Sequence, residues 1–282
     1  MAKRFKEDEV INLLRAKIEK KEVLFMPNCG SGLTAKLQEK GGADLICVSA
    51  TSYWRMKGQG SLAPLMPYSD INEVIFSLAP EIVANVKDTP VLSLSGGTNP
   101  LFPHREHLKK LWEAGISGIN PFMMKIYGDS IMEQMAAIGM GWDREVDFVA
   151  EAHRMEMFSL AYAFTPDEAR ILAETGCPAI SSHVGSTVGG LMGAKSNLTL
   201  DEACELSQRI FDAARAVNPD VIVFAHGGPI KGPEEVKYVL ERTNAQGFIG
   251  GSAAERMPIE KAVLAATQEY KEIRMTAERK GR

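Results

Sequence analysis

Two histidines of this chain stand in matching settings. Ser182-His183-Val184-Gly185 and Ala225-His226-Gly227-Gly228 each put an imidazole at the end of a short apolar run, just before a glycine turn. Neutral imidazole can take or give a proton near pH 7, so one of the two can serve as general base or acid. A lone histidine is more often structural; two in equivalent positions favour catalysis. A third apolar run ends in Gly250-Gly251-Ser252 and leads to Glu255 and Arg256. With Gly227, Gly228, Gly185 and Thr187, these residues present backbone N–H groups, hydroxyls and a guanidinium to an oxyanion, phosphate or carboxylate. Glu255 is expected to orient a histidine or act as base, and Tyr162 and Asn120 to donate to an enolate oxygen. The competing account gives the glycines only a turn to make and pairs Glu255 with Arg256 or with a helix terminus.

Other segments carry weaker signals. Gly30-Ser31-Gly32-Leu33-Thr34-Ala35-Lys36 is a glycine loop opening a helix, so Gly30, Gly32 and Lys36 are anion-contact candidates. It is not a phosphate-binding P-loop, because Lys36 falls too late and no Gly-Lys-Ser/Thr follows. No nucleotide-cofactor motif is present. From Ser49 to Ser61 the chain has no clear helical periodicity, which reads as a long binding loop or lid carrying Ser49, Arg55 and Lys57. A surface loop under a capping Trp54 is the plainer alternative. The sequence has no HExxH and no carboxylate cluster. Mg²⁺ stays a candidate cofactor through Asp70, Asp143 or Glu145, with no ligand set assigned. Cys29 lies at the same predicted face, where most cysteines are inert small hydrophobes.

These groups can act together only if the fold gathers them. Eight apolar runs begin at Val23, Leu45, Val91, Ile116, Met157, Ala179, Val221 and Gly247. Most are continuous, as suits parallel strands buried on both faces. Helical patterns lie between them: Leu33 to Lys40 stops at Gly41-Gly42, His104 to Ala114 stops at Gly115, and Thr165-Pro166 starts another that ends at Gly176. Pro233 opens a further helix. The odd-numbered runs recur at intervals of about 66 residues, so four similar β-α-β-α units predict a single (β/α)8 TIM barrel of class α/β. An open, doubly wound sheet is the alternative. Residues 1–22 are expected to form an N-terminal helix with a stripe of Val10, Leu13, Leu14 and Ile18, and residues 23–282 the barrel with its C-terminal helix. In such a barrel the loops after the strands share one face, and active sites gather there.

Of 282 residues, 45% are hydrophobic and 24% charged, which excludes a disordered or collagen-like chain. The net charge of −4 gives no overall electrostatic pull towards nucleic acid or an anionic membrane. Four scattered cysteines without a CxxC pair suit reduced thiols. The charged N-terminus and the lack of a spanning apolar run argue for a soluble, cytoplasmic protein with no membrane partner. An apolar stripe over Ile259–Met275 (Ile259, Val263, Ala266 and Tyr270) is a candidate contact between copies, hence a homo-oligomer.

The chain resembles the TIM-barrel family called phosphoenolpyruvate hydrolase-like, also known as the TIM-barrel signal-transduction family. A related barrel is the C-terminal domain of the plant Tm-1-like proteins. The resemblance covers nearly the whole chain. It rests on Gly30 to Lys36, Arg55-Met56, Gly60-Ser61-Leu62-Ala63, Met66-Pro67-Tyr68, Gly139-Met140-Gly141 and Tyr162-Ala163-Phe164. It continues through His183-Val184-Gly185 with Thr187 and Gly189-Gly190, His226 to Ile230, and Glu255-Arg256-Met257-Pro258. It implies action on phosphoenolpyruvate or phosphonopyruvate, by analogy with the mutase and isocitrate lyase superfamily. The chain departs from that superfamily in lacking its Lys-Lys-Cys-Gly-His loop and an acidic set at the strand ends. Asn28 also stands where the hydrolase-like family usually has glycine. The expected function is hydrolysis or C–C, C–P or C–O cleavage of a small anionic 2-oxo or enol acid. The alternative is a non-catalytic module that binds a small anion or nucleotide and signals through oligomerisation. Schiff-base aldolase chemistry ranks last, since no strand run contains a lysine.

Overall fold

The computed structural model describes residues 3–191, 193 and 198–274. In chain order the elements are α1 (Glu7–Glu19), β1 (Leu24–Cys29), α2 (Gly32–Lys40), β2 (Ile46–Val48), α3 (Ala50–Met56), α4 (Ile71–Asn85) and β3 (Val91–Ser93). Next come α5 (His104–Glu113), β4 (Gly118–Ile119), α6 (Asp129–Ala137), α7 (Trp142–Arg154), β5 (Phe158–Ala163), α8 (Pro166–Glu174) and β6 (Ala179–His183). The chain closes with α9 (Leu200–Val217), β7 (Ile222–His226), α10 (Pro233–Arg242), β8 (Gly247–Gly251) and α11 (Ala253–Glu272). The strands form a closed barrel in sequence order, and β1 pairs with β8. Every neighbouring pair is parallel. The expected (β/α)8 barrel is what the chain adopts, and an open sheet is not.

Continuous apolar runs become strands because both faces of each are covered. All six residues of β5 and all five of β6, β7 and β8 are buried. The helix signals act as expected at several ends. The Thr165 side chain accepts from Glu168 N at the start of α8, with Pro166 in the first turn. Gly42, just past α2, sits at φ +89, a conformation that costs any residue with a Cβ.

α1 lies across the strand starts. Lys3 N donates to Lys87 O at 3.0 Å just before β3, and Glu7 N to Glu156 O at 2.9 Å just before β5. Val10 and Leu14 are buried beneath it, so this end of the barrel is closed and chemistry is confined to the opposite mouth. Leu13 does not belong to the buried stripe; its side is open to solvent.

One further expectation changes. The segment after β2 is a helix rather than a long loop. Ser49 Oγ accepts from Ser52 N to cap α3, and a 3-10 turn follows over Ala63–Leu65. The stripe on α11 is largely open to solvent: Ile259 is half-buried, Val263, Leu264 and Tyr270 are exposed, and Met275 lies outside the described residues. Among the described residues, no helix is long and apolar enough to cross a membrane.

Candidate active site

A cavity of about 80 Å³ opens where the strands end. Its centre is aromatic. β6 and β7 pair in a register that sets His183 beside His226, and partners across a parallel ladder share a face. The two imidazole centroids are 5.0 Å apart, edge to face. Tyr162 from β5 stands 5.1 Å from each, and the Phe164 ring 4.5 Å from His183. Residues separated by 43 positions in the chain thus meet through strand register alone.

Backbone groups hold both imidazoles. His226 Nδ1 lies 2.7 Å from the Ile249 carbonyl on β8. Gly185 N donates to His183 Nδ1 at 3.3 Å, and the positive φ of Gly185 (+109) then turns the chain into the loop. The loops after β6 and β7 are laced together: Val184 N donates to His226 O at 3.0 Å, Gly228 N to Gly185 O at 2.8 Å, and Val188 N to Gly228 O at 3.1 Å. Burial pushes both histidines down, His226 to about 4 and His183 well below its ordinary range, and His226 lowers His183 further. Both rings are therefore neutral at pH 7. Burial also holds the Tyr162 phenol well above its usual range, so it stays a neutral donor.

One wall is cationic and polar. Arg55 from α3 and Arg256 from the first turn of α11 are both buried and both line the cavity. Burial lowers Arg55 to about 10, and the neighbouring Arg256 lowers it further while Glu260 opposes. It remains charged at pH 7. Arg55 Nη2 donates to Ser61 Oγ. Arg256 Nη1 donates to Glu260 Oε1 at 3.0 Å and Nη2 to Gly189 O at 2.7 Å, leaving its buried Nε without a partner among the described residues. Ser61, Ser186, Thr187, Ser252 and Asn28 add hydroxyls and an amide; Leu94, Phe122, Met123, Ile126 and Phe164 make the other wall apolar. Two guanidiniums and one shared carboxylate leave a surplus of positive charge at the mouth. That arrangement favours an anion.

Several expected site residues have other tasks. Lys36 is exposed on α2 and does not line the cavity. Gly30 N donates to Glu255 Oε1 at 3.0 Å and Gly32 N to Glu81 Oε1 at 2.5 Å, so the chain's own carboxylates fill that cradle. Glu255 also accepts from Thr34 Oγ1, and burial raises its carboxyl. It ties α11 to the first loop from beneath the cavity instead of facing it. Ser49 is spent capping α3. Asn120 Nδ2 donates to Leu160 O at 2.6 Å, outside the lining. Gly227 is buried in the laced loops and does not line the cavity. Gly251, Ser252, Thr187, Arg55, Arg256, Tyr162 and both histidines do line the cavity. Sequence reasoning missed Asn28, Thr51, Ser61, Ser186 and the apolar wall. Of these, only Asn28 carried a signal, as a departure from the family's glycine.

The donor set does not fit Mg²⁺. Among the described residues no carboxylate lines the cavity, and no cluster of three His, Cys, Asp or Glu is able to hold a metal. Asp70 caps α4, accepting from Asn72 and Glu73 N, and Asp143 lies in the first turn of α7. Glu145 is fully buried, accepts from Met124 N at 2.7 Å, and burial raises it to about 8, so it is a neutral acid at pH 7. Burial holds the Cys29 thiol well above its usual range, which makes it inert.

A sequence model of the family described as phosphoenolpyruvate hydrolase-like matches residues 9–273. The chain is 39% identical over 268 residues to the ToMV susceptible protein tm-1(GCR26) of Solanum lycopersicum, and 39% over 272 residues to the ToMV resistance protein Tm-1(GCR237) of the same species. The alignments cover 94% and 96% of this chain but 36% of each tomato protein, so the chain spans about a third of those relatives. Among solved structures, a phosphonopyruvate hydrolase complex with oxalate and Mg++ has a TM-score of 0.59 at 16% identity, covering 92% of this chain and 84% of that one. At that identity the likeness concerns fold alone.

Proposed function

The chain belongs to the phosphoenolpyruvate hydrolase-like family, and from that premise we propose that it is an enzyme acting on a small anionic 2-oxo or enol acid. The observation that carries this reading is the pairing of two buried guanidiniums, Arg55 and Arg256, with two neutral imidazoles around one cavity. The cavity, about 80 Å³, suits an acid of few carbons. The arginines would hold its carboxylate or phosphate. An imidazole would move a proton at the reacting centre, and the Tyr162 phenol would donate to oxygen as negative charge develops there. Hydrolysis or cleavage of a C–C, C–P or C–O bond each generates an enolate of this kind, as phosphoenolpyruvate or phosphonopyruvate would.

We further propose a homo-oligomer in a reducing, cytoplasmic setting; all four cysteines are free and buried, as such a compartment keeps them. A ligand sensor is the second reading, favoured by relatives whose names describe virus susceptibility and resistance. The test assays the full chain with phosphoenolpyruvate, phosphonopyruvate and oxaloacetate, alongside His183→Ala and His226→Ala. Turnover is expected, with each variant lowered by about 10²–10⁴-fold at unchanged folding. Ligand-induced thermal stabilisation without any turnover would move the assignment to a sensor.

A further inference from the structure

We propose that the backbone sets the two imidazoles in opposite tautomers, so that His226 is the base and His183 the neutral hydrogen-bond donor of the same site. The roles rest on the enzyme reading above; the tautomers do not. The Ile249 carbonyl, 2.7 Å from His226 Nδ1, can only accept a hydrogen bond. Nδ1 of His226 therefore carries the proton, and Nε2 carries the lone pair. At His183 the Gly185 N–H, 3.3 Å from Nδ1, can only donate, and it sets the tautomer although the residue's own backbone carbonyl also lies near the ring and favours its protonated form. Nδ1 of His183 therefore carries the lone pair, and Nε2 carries the proton. Glycine is needed on both sides: Gly185 at φ +109 takes the chain on from that N–H so that its carbonyl accepts from Gly228 N, and a Cβ on Gly251 would meet His226 Cε1 at 3.0 Å.

One neutral ring thus offers a lone pair and the other an N–H, across a cavity whose other titratable lining groups, among the described residues, are Arg55, Arg256 and Tyr162. None of these is a carboxylate that would compete for the proton. In the step, the C–H bond beside the substrate carbonyl breaks and its proton passes to His226 Nε2. The C–H electron pair becomes the C=C bond, and the carbonyl π pair moves to the substrate oxygen, which becomes an enolate. His183 Nε2–H meets that charge as a hydrogen-bond donor and keeps its own proton, as a neutral imidazole can. The proton then returns from His226 to the product.

The test has two arms. The full chain carries five histidines, and ¹⁵N-histidine labelling with long-range ¹H–¹⁵N correlation at pH 7.5 reads each ring's tautomer, with His183→Gln and His226→Gln giving the assignments. The expected result is Nδ1–H at His226 and Nε2–H at His183; the same tautomer in both rings overturns the proposal. The second arm follows solvent deuterium exchange at C3 of pyruvate and oxaloacetate. A glutamine amide can donate a hydrogen bond but cannot take a proton. His183→Gln is therefore expected to recover at least tenfold over His183→Ala, whereas His226→Gln stays as low as His226→Ala. Recovery at His226 instead reverses the roles. Wild-type exchange that never rises above the buffer rate overturns the enzyme reading and the roles with it, while the tautomers are still decided by the spectra.

Discussion

Arg55 and Arg256 share the cavity wall but not the same supports, and each is expected to hold part of an anion. Hydrogen bonds to charged groups contribute about 1.5–3 kcal/mol, so Arg55→Met or Arg256→Met should weaken binding of a small oxo acid by roughly 10–100-fold, read by calorimetry. Glu145 gives a pH prediction. Burial raises its folded value to about 8 from an ordinary 4.5, so between those values the native state holds a proton that the unfolded chain has released. Stability from this group is present below about pH 4.5 and is lost as pH rises towards 8. Glu145→Gln should remove that slope, and its melting temperature relative to wild type should climb between pH 5 and pH 8. An unchanged difference across the range would show that Glu145 is ionised in the fold. The histidines were readable from the sequence because strand-end position and glycine turns are local patterns. Lys36 and Gly32 were misread for the opposite reason: whether an N–H faces a ligand or a distant carboxylate such as Glu81 depends on contacts 49 residues away.

Secondary-structure elements set the tolerance of the mouth. Gly227 sits at φ +91, and a Cβ there would lie 2.1 Å from Gly185 O, inside the hydrogen bonds that lace the two histidine loops. Gly58, at φ +76, has nothing within 4 Å of its would-be Cβ. Gly58→Ala should cost only the strain of a left-handed residue, on the order of 1 kcal/mol. Gly227→Ala should cost several times more in thermal or denaturant unfolding. Equal costs would mean that the lacing contributes little. All eight strands were foreseen within a residue or two at their starts because buried parallel strands are continuous apolar runs bounded by turn residues. α3 was not, because Thr51-Ser52-Tyr53-Trp54-Arg55-Met56 has no apolar stripe. Its helix is held by the Ser49 cap and by close packing, where a Cβ on Gly30 would come within 2.6 Å of Tyr53 N.

For the molecule as a whole, α11 raises the question of company. From Lys261 onward its residues are exposed, including Val263, Leu264 and Tyr270. A helical stretch exposed on all sides is marginal in water, so the amides of residues 261–272 should exchange with solvent within the fastest fraction. If copies associate as proposed, hydrogen exchange over 261–272 should instead slow as protein concentration rises, and light scattering should report a mass above 30.8 kDa. Fast exchange at every concentration with a monomeric mass would refute self-association.

The side-by-side seating of His183 and His226 depends on counting in twos along their strands. A single residue added or deleted within Ala179–His183 or Ile222–His226 would send one imidazole to the outer wall, among the helices. Lengthening the chain between these two strands would leave both in place. Homologues that keep the chemistry should therefore differ freely in the length of that connection, and scarcely at all inside the two short strands it joins.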